Sequence, residues 1–155
     1  MKSKESVSRF NRIRRIAKFN KKSSFNFFVK KGENEMHITR KYIREHPEKV
    51  FVFGDNMNRF GFGGQAKEAR GEKNTIGIPT KWYPNNREES FFTDEEFSTV
   101  LERIDEAFRL IDKSKKEGKE IVFFPHIGEG LAQLDKRAPK IYKYIKERIE
   151  SYSEK

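Results

Sequence analysis

The sequence predicts an α/β fold, because three short apolar runs typical of buried strands alternate with segments of helical periodicity. The runs are Val50 to Phe53 (VFVF), Thr75 to Ile78 (TIGI) and Ile121 to Phe124 (IVFF). Parallel strands that are covered on both faces show continuous apolar runs of this kind. We therefore predict a three-layer α/β/α sandwich, in which a mixed, largely parallel sheet carries helices on both faces.

Two long segments carry apolar residues at helical spacing and predict the main helices. The first spans about 94–116, and Thr93 with Glu96 three residues later forms a capping-box pattern at its start. The second spans about 138–152 and repeats isoleucine every fourth residue along one side. Shorter elements complete the pattern, with strands predicted at 25–31 and 36–39 and helices at 40–46 and 65–70.

The net charge of +10 is concentrated in the first 31 residues, which hold 11 of the 34 Lys/Arg and one of the 24 Asp/Glu. The remaining 124 residues carry 23 charges of each sign and are neutral overall. We divide the chain into a basic N-terminal extension, residues 1–24, and one α/β domain, residues 25–155. The extension either binds nucleic acid or another polyanion, or is a solvated segment whose few apolar residues lean on the domain. In the first case the contacting residues are Arg12, Arg14, Arg15, Lys18, Lys21 and Lys22.

The composition excludes several classes of protein. The chain has no cysteine, which excludes disulfides, thiolate metal sites and a cysteine nucleophile and fits a reducing compartment. No apolar run approaches 18 residues, and the N-terminus lacks the apolar centre of a signal peptide. We therefore expect a cytoplasmic protein with no membrane partner. No residue cluster has metal-ligand spacing, so neither a metal nor a cofactor is expected.

Two glycine-bearing loops follow predicted strands and define a candidate ligand site. The loop at 54–64 holds four glycines and the loop at 126–130 holds two. In open α/β sheets, ligands bind beyond the carboxyl ends of the strands, so neighbouring loops would form a cleft there. Glycine lets backbone N–H groups approach a diphosphate closely. The alternative is that these glycines only make tight turns.

Known phosphate-binding loops fit this sequence poorly. The motif G-x-x-x-x-G-K-[ST] is absent, which argues against a P-loop nucleotide triphosphatase. Gly61, Gly63 and Ala66 satisfy G-x-G-x-x-A, but they begin several residues beyond the predicted strand. The acidic residue expected about 20 positions further on is also missing, which argues against a dinucleotide-binding fold.

The order of these motifs resembles that of macrodomains, the ADP-ribose-binding α/β/α modules. The resemblance rests on G-D-N at 54–56, R-x-G-x-G-G-Q-A at 59–66, N-x-I-G-I-P-T-K at 74–81 and P-x-x-G-x-G-L-A at 125–132. It covers about residues 50–149 and is most specific to a macrodomain-like family common in phage-type genomes, which implies the host cytoplasm. The resemblance implies that Asn56 approaches the distal ribose and that the glycines of the first loop line it. It also implies that residues 127–131 hold the phosphates.

We expect the titratable residues of the two loops to carry any chemistry. A histidine beside a carboxylate is suited to acid–base work on a ribosyl or phosphoryl bond. The candidate catalytic residues are Asp55, His126 and Glu129. The candidate ligand-binding residues are Gly54, Asn56, Arg59, Gly61, Gly63, Gly64, Gln65, Lys81, Ile127, Gly128, Gly130 and Leu131.

Three functions remain open at this point. The first is hydrolysis of an ADP-ribosyl bond or of a terminal phosphate on an ADP-ribose derivative. The second is a non-catalytic reader of ADP-ribose or a related nucleotide diphosphate. The third is a nucleic-acid-binding protein that acts through its basic extension.

Overall fold

A computed structural model describes residues 37–154, in which three parallel strands form the central sheet. Strand β1 (Lys49–Asn56) lies in the middle, between β2 (Thr75–Lys81) and β3 (Glu120–Phe123). Both neighbours run parallel to β1. The α/β class and the placement of the three apolar runs in one sheet are therefore confirmed.

The central strand is buried on both faces. Phe51 and Val52 have no exposed surface, although consecutive side chains of a strand point to opposite sides of the sheet. Both sides of β1 are therefore covered by other parts of the chain. This burial explains why its sequence is a continuous apolar run.

Helices connect the strands and pack around the sheet. The α-helices among residues 37–154 are α1 (Arg40–Glu45), α2 (Ala66–Ala69), α3 (Phe97–Lys116), α4 (Leu134–Arg137) and α5 (Pro139–Ser151). Short 3₁₀ turns lie at Glu88–Ser90, Asp94–Glu96, Gly130–Ala132 and Tyr152–Glu154. Helix α3 contacts all three strands, and α5 packs against α3.

The two long predicted helices are confirmed as α3 and α5. The isoleucines that repeat along α5 are buried, as their spacing predicts. The capping box is also present, since the Glu96 carboxylate accepts a hydrogen bond of 2.9 Å from the backbone N–H of Thr93. It opens a 3₁₀ turn that leads directly into α3, so the regular helix begins three residues later than predicted.

Two shorter predictions differ from the structure. Residues 37–39 form no strand, so the strand predicted at 36–39 is wrong there. Thr39 instead caps α1, because its hydroxyl accepts a hydrogen bond of 3.1 Å from the backbone N–H of Tyr42. Strand β2 also continues past Pro79, where the prediction ended it. Among the described strands β2 borders only β1, and proline is tolerated in such an edge strand.

The basic extension and the strand predicted at 25–31 lie outside the described residues. Their structure, and the binding of nucleic acid by the extension, therefore remain predictions. No helix among residues 37–154 combines the length and the apolar character needed to cross a bilayer.

A test of the sheet is the substitution Gly77→Ala. A Cβ atom at this position would lie 2.8 Å from Cβ and 2.9 Å from Oδ2 of Asp55 on the neighbouring strand. We expect the free energy of unfolding to fall by about 1–3 kcal/mol, the usual cost of overpacking. Urea denaturation measures the change.

The matched control for this test is Gly63→Ala. A Cβ atom there would meet only the flexible side chain of Leu131 at 3.5 Å. Its free energy of unfolding should stay within about 0.5 kcal/mol of the wild type. Equal stabilities for the two variants would contradict the close approach of Asp55 to Gly77.

Candidate functional site

The main cleft lies at the carboxyl ends of β1 and β3 and has a volume of about 620 Å³. It forms there because the two glycine loops leave neighbouring parallel strands and come side by side. All but two of the predicted catalytic and ligand-binding residues line this cleft. They are Gly54, Asp55, Asn56, Gly61, Gly63, Gly64, Gln65, Lys81, His126, Gly128, Glu129, Gly130 and Leu131.

The side-chain amide of Gln65 joins the two loops. Its oxygen accepts a hydrogen bond of 2.8 Å from the backbone N–H of Gly54. Its nitrogen donates a hydrogen bond of 2.7 Å to the backbone carbonyl of Pro125. The sequence predicted Gln65 as a ligand-binding residue. The structure shows that its amide holds the cleft walls together.

Asn56 shapes the first loop through its side chain. Its amide nitrogen donates to the carbonyl of Phe60 at 2.9 Å, and its amide oxygen accepts from the N–H of Phe60 at 3.3 Å. Both ends of the amide are therefore engaged with one backbone unit four residues further on. The contact with a distal ribose that the resemblance implies remains a prediction for this residue.

Asp55 forms an ion pair with Arg70 beneath the first loop. The two carboxylate oxygens accept from the two terminal nitrogens of the guanidinium, and Nε of Arg70 donates to the carbonyl of Gly61 at 2.6 Å. The side chains of Asp55 and Arg70 are only 6% and 15% exposed. This geometry gives Asp55 a part in holding the loop, and its catalytic role remains a prediction. Sequence reasoning missed Arg70, because only the tertiary fold brings it to Asp55.

The second loop turns tightly through backbone conformations that favour glycine. His126 has a φ of 59°, which is rare for a residue with a Cβ atom, and Gly128 has a φ of 90°. The backbone N–H of Leu134 donates to the carbonyl of Gly128 at 2.7 Å and closes the turn. Non-glycine residues held in this region mark positions that the surrounding structure constrains.

A histidine, a glutamate and a tyrosine meet at this turn. Nδ1 of His126 lies 3.4 Å from Oε1 of Glu129. The hydroxyl of Tyr142, on α5, donates a hydrogen bond of 2.8 Å to Oε2 of Glu129. Burial raises the pKa of Tyr142 well above its ordinary value, and the Glu129 carboxylate raises it further. Tyr142 was missed in the sequence because nothing local links it to the loop.

Lys81 places a buried ammonium at the cleft. The residue is 8% exposed, its Nζ donates to the carbonyl of Asn85 at 2.8 Å, and Nζ lies 4.5 Å from the centre of the Phe91 ring. Burial lowers the pKa of Lys81, and the nearby positive charge of Arg137 lowers it further. A lysine with a lowered pKa in a cleft is a candidate functional group.

Exposed apolar side chains surround the first loop. Phe60 and Phe62 are 68% and 64% exposed, and Phe60 and Leu131 line the cleft. Tyr83 is also exposed, next to Pro84 of the cleft wall. Aromatic rings are rarely left in water without a partner surface, so these positions offer stacking contacts for a planar ligand group. These aromatic positions were not predicted from the sequence, because the prediction for this loop was based on its glycines.

Two predicted site residues lie elsewhere. Arg59 lines a second cavity of about 280 Å³, which shares Asp55 and Asn56 with the main cleft. The side chain of Ile127 is buried in the hydrophobic core. Among residues 37–154, no group of three or more His, Asp or Glu side chains is arranged to hold a metal ion.

Comparison of the sequence with known families identifies the family of the chain. Residues 33–148 match the model of a family of unknown function, DUF7831, and the chain belongs to this family. No curated protein and no solved structure matches the chain. The family match names no ligand and no reaction, so the resemblance to macrodomains stays a prediction.

The ion pair beneath the first loop is tested by Arg70→Met. This substitution leaves the Asp55 carboxylate buried without its cation, because both side chains are largely buried. We expect the free energy of unfolding to fall by about 3–5 kcal/mol, the usual cost of breaking a buried pair. Chemical denaturation at neutral pH measures it.

The control is Arg44→Met, which removes an arginine that pairs with Glu72 while its own side chain is 65% exposed. Because solvent screens exposed pairs, we expect little change in stability for this variant. An Arg70→Met protein as stable as the Arg44→Met protein would show that the buried pair does not hold the loop.

Proposed function

We propose that the chain binds ADP-ribose or a related nucleotide diphosphate in the main cleft. The observation that carries this proposal is the meeting of two glycine loops at the carboxyl ends of neighbouring parallel strands. A volume of about 620 Å³ lies within the range of small-molecule sites. At Gly130, a Cβ atom would have nothing within 4 Å, so the backbone there is open to a ligand.

The arrangement of helices on the two faces of the sheet is also part of our proposal. The order of strands, loops and helices follows the motifs on which the resemblance to macrodomains rests. We propose that helices cover both faces of the sheet in a three-layer macrodomain-like sandwich. The burial of consecutive side chains in β1 supports this arrangement.

Two further features of the cleft favour a nucleotide over a simple anion. The exposed ring of Phe60, which lines the cleft, supplies a surface on which a base can stack, and Phe62 exposes a second ring on the same loop. The Lys81 ammonium supplies a positive charge for a phosphate, and only one of its three donors is used by the carbonyl of Asn85.

A second candidate function is hydrolysis of an ADP-ribosyl bond or of a terminal phosphate. It is favoured by the pairing of His126 with Glu129 at 3.4 Å in the cleft wall. An imidazole beside a carboxylate is suited to take a proton from an attacking water molecule. The competing function is a reader that binds the same ligand without turnover. Product formation from an ADP-ribosylated substrate or from ADP-ribose 1″-phosphate distinguishes the two.

Ligand binding is tested by isothermal titration of the wild type and Gly63→Val with ADP-ribose. A side chain at this position projects beside Leu131 at the cleft wall, and Gly63 has no positive φ that a valine would strain. We expect the wild type to bind and the variant to lose binding, because the valine occupies ligand space. The thermal unfolding midpoint should stay close to that of the wild type, which checks the fold.

Two results would count against this proposal in different ways. Equal affinity of the wild type and Gly63→Val would place the ligand outside the cleft. No heat with ADP-ribose, ADP or related nucleotide diphosphates would refute the proposed ligand class and leave the fold unaffected.

The role of Lys81 is tested by Lys81→Met beside Lys67→Met, since both lysines line the cleft. The buried ammonium is screened less than the exposed one, so we expect about a tenfold loss of ADP-ribose affinity for Lys81→Met. Lys67→Met should bind almost as well as the wild type. Competing salt should weaken the wild type more than Lys81→Met.

Because the pKa of Lys81 is lowered, we expect the affinity for ADP-ribose to depend on pH. The ammonium is present below the lowered pKa and is lost as the pH rises through it, before the ordinary value of 10.5. Wild-type affinity should therefore decline on the alkaline side, and Lys81→Met should lack this decline. Parallel pH profiles for the two proteins would contradict the role of Lys81.

A further inference from the structure

The contact between α5 and the second loop consists of a short chain of polar side chains. Tyr142 donates from its hydroxyl to Oε2 of Glu129 at 2.8 Å, and the other oxygen of Glu129 lies 3.4 Å from Nδ1 of His126. His126 and Glu129 line the cleft, whereas Tyr142 stands behind them on the helix. One carboxylate therefore connects a fixed hydroxyl to an imidazole in the cleft.

The turn requires glycine at position 128. Its φ of 90° is one that residues with a Cβ atom rarely adopt, and a Cβ atom there would lie only 3.1 Å from Cδ2 of Leu134. The ring of Tyr142 would be in ordinary van der Waals contact, with Cδ1 at 3.4 Å. His126 lies in the same turn and has a left-handed φ of 59°. The backbone N–H of Glu129 donates to the carbonyl of His126 at 3.0 Å and fixes the two residues relative to each other.

The hydroxyl of Tyr142 remains a donor over the working range of pH. Burial raises the pKa of the phenol, and the carboxylates of Glu129, Asp135 and Glu150 raise it further. Lys146 lies over the ring, with Nζ 5.6 Å from its centre. Other charged or titratable groups that line the cleft are His37, Lys67, Glu68, Asp55 and Lys81. The Glu129 carboxylate faces Nδ1 of His126 at 3.4 Å.

We propose that Tyr142 is a positioning residue, whose hydroxyl holds Glu129 against His126 and thereby selects the imidazole tautomer with its proton on Nδ1. A carboxylate only accepts hydrogen bonds, so it favours a proton on the ring nitrogen that faces it. The other nitrogen, Nε2, then lacks a proton and is the basic atom of the neutral ring. This role deepens the hydrolytic function proposed for the cleft and rests on it for its chemical purpose.

The tautomer is measured directly by ¹⁵N NMR of the histidine rings in the full-length protein. The chain has three histidines, so the spectrum is simple, and His126→Gln assigns the signal. The measurement is made at alkaline pH, because only a neutral imidazole has two tautomers. We expect the wild type to show mainly the Nδ1–H form of His126.

Two variants remove the two side-chain contacts of Glu129 one at a time. Tyr142→Phe deletes the hydroxyl, and Glu129→Gln replaces the carboxylate with an amide of the same shape. Each should shift the tautomer ratio of His126 toward the Nε2–H form, and the loss of the Tyr142 hydrogen bond sets the expected size at about fivefold. The matched control is Tyr144→Phe, which deletes a hydroxyl on the same helix that donates to Asp105. Tyr144 does not line the cleft, so this variant should leave His126 unchanged.

The possible outcomes test the role of Tyr142 separately from the identity of the ligand. A wild-type ring with its proton on Nε2, or a tautomer ratio that is unchanged in Tyr142→Phe, would overturn the positioning role of Tyr142. An unchanged ratio in Glu129→Gln would also overturn it, because Tyr142 acts through this carboxylate. A shift of the same size in Tyr144→Phe would also overturn it, because the effect would then arise from helix packing. A positive result without any binding of ADP-ribose would support the positioning role and refute the proposed ligand. Where turnover is found, Tyr142→Phe should lower kcat and leave KM nearly unchanged.

Discussion

The amide of Gln65 is the interaction on which the cleft depends. Neighbouring parallel strands are held together by backbone hydrogen bonds, and the last of these between β1 and β3 runs from the N–H of Phe124 to the carbonyl of Val52. Beyond that point the two chains separate into the loops. Gln65 then accepts from the N–H of Gly54 and donates to the carbonyl of Pro125, so that one side chain replaces the missing backbone pairing. The spacing of the loops, and hence the width of the cleft, follows from this bridge.

The first loop keeps its shape through side chains that bind its own backbone. Asn56 bonds both the N–H and the carbonyl of Phe60, and Arg70 reaches the carbonyl of Gly61 while it neutralises Asp55. Glycine supplies the backbone freedom of the loop, and the polar side chains select one conformation from that freedom. A loop closed in this way is already ordered, which lowers the entropic cost of the ligand binding that we propose.

Local sequence patterns predict strands and helices, whereas contacts between distant side chains depend on the tertiary fold. Apolar runs such as VFVF and the Thr93–Glu96 capping box depend on neighbours in the chain, so local patterns predicted the three strands and the capped turn that leads into α3. The strand predicted at 36–39 failed over residues 37–39, because Thr39 serves as a helix cap there. The sequence located both loops, but it could not show that Arg70 meets Asp55 or that Tyr142 meets Glu129. These pairs are 15 and 13 residues apart, and only the packing of α2 and α5 brings them together.

Several features that oppose stability gather at the same end of the sheet. His126 holds a left-handed backbone, Lys81 buries an ammonium, and Phe60 and Phe62 expose aromatic rings to water. Each of these features costs free energy in an isolated chain, and sequences that fold well otherwise keep their local preferences consistent with the fold. Such exceptions are expected where a ligand compensates the cost, because it can neutralise the ammonium and cover the rings. Their concentration around the cleft supports a binding site there, independently of the glycine loops and of the resemblance to macrodomains.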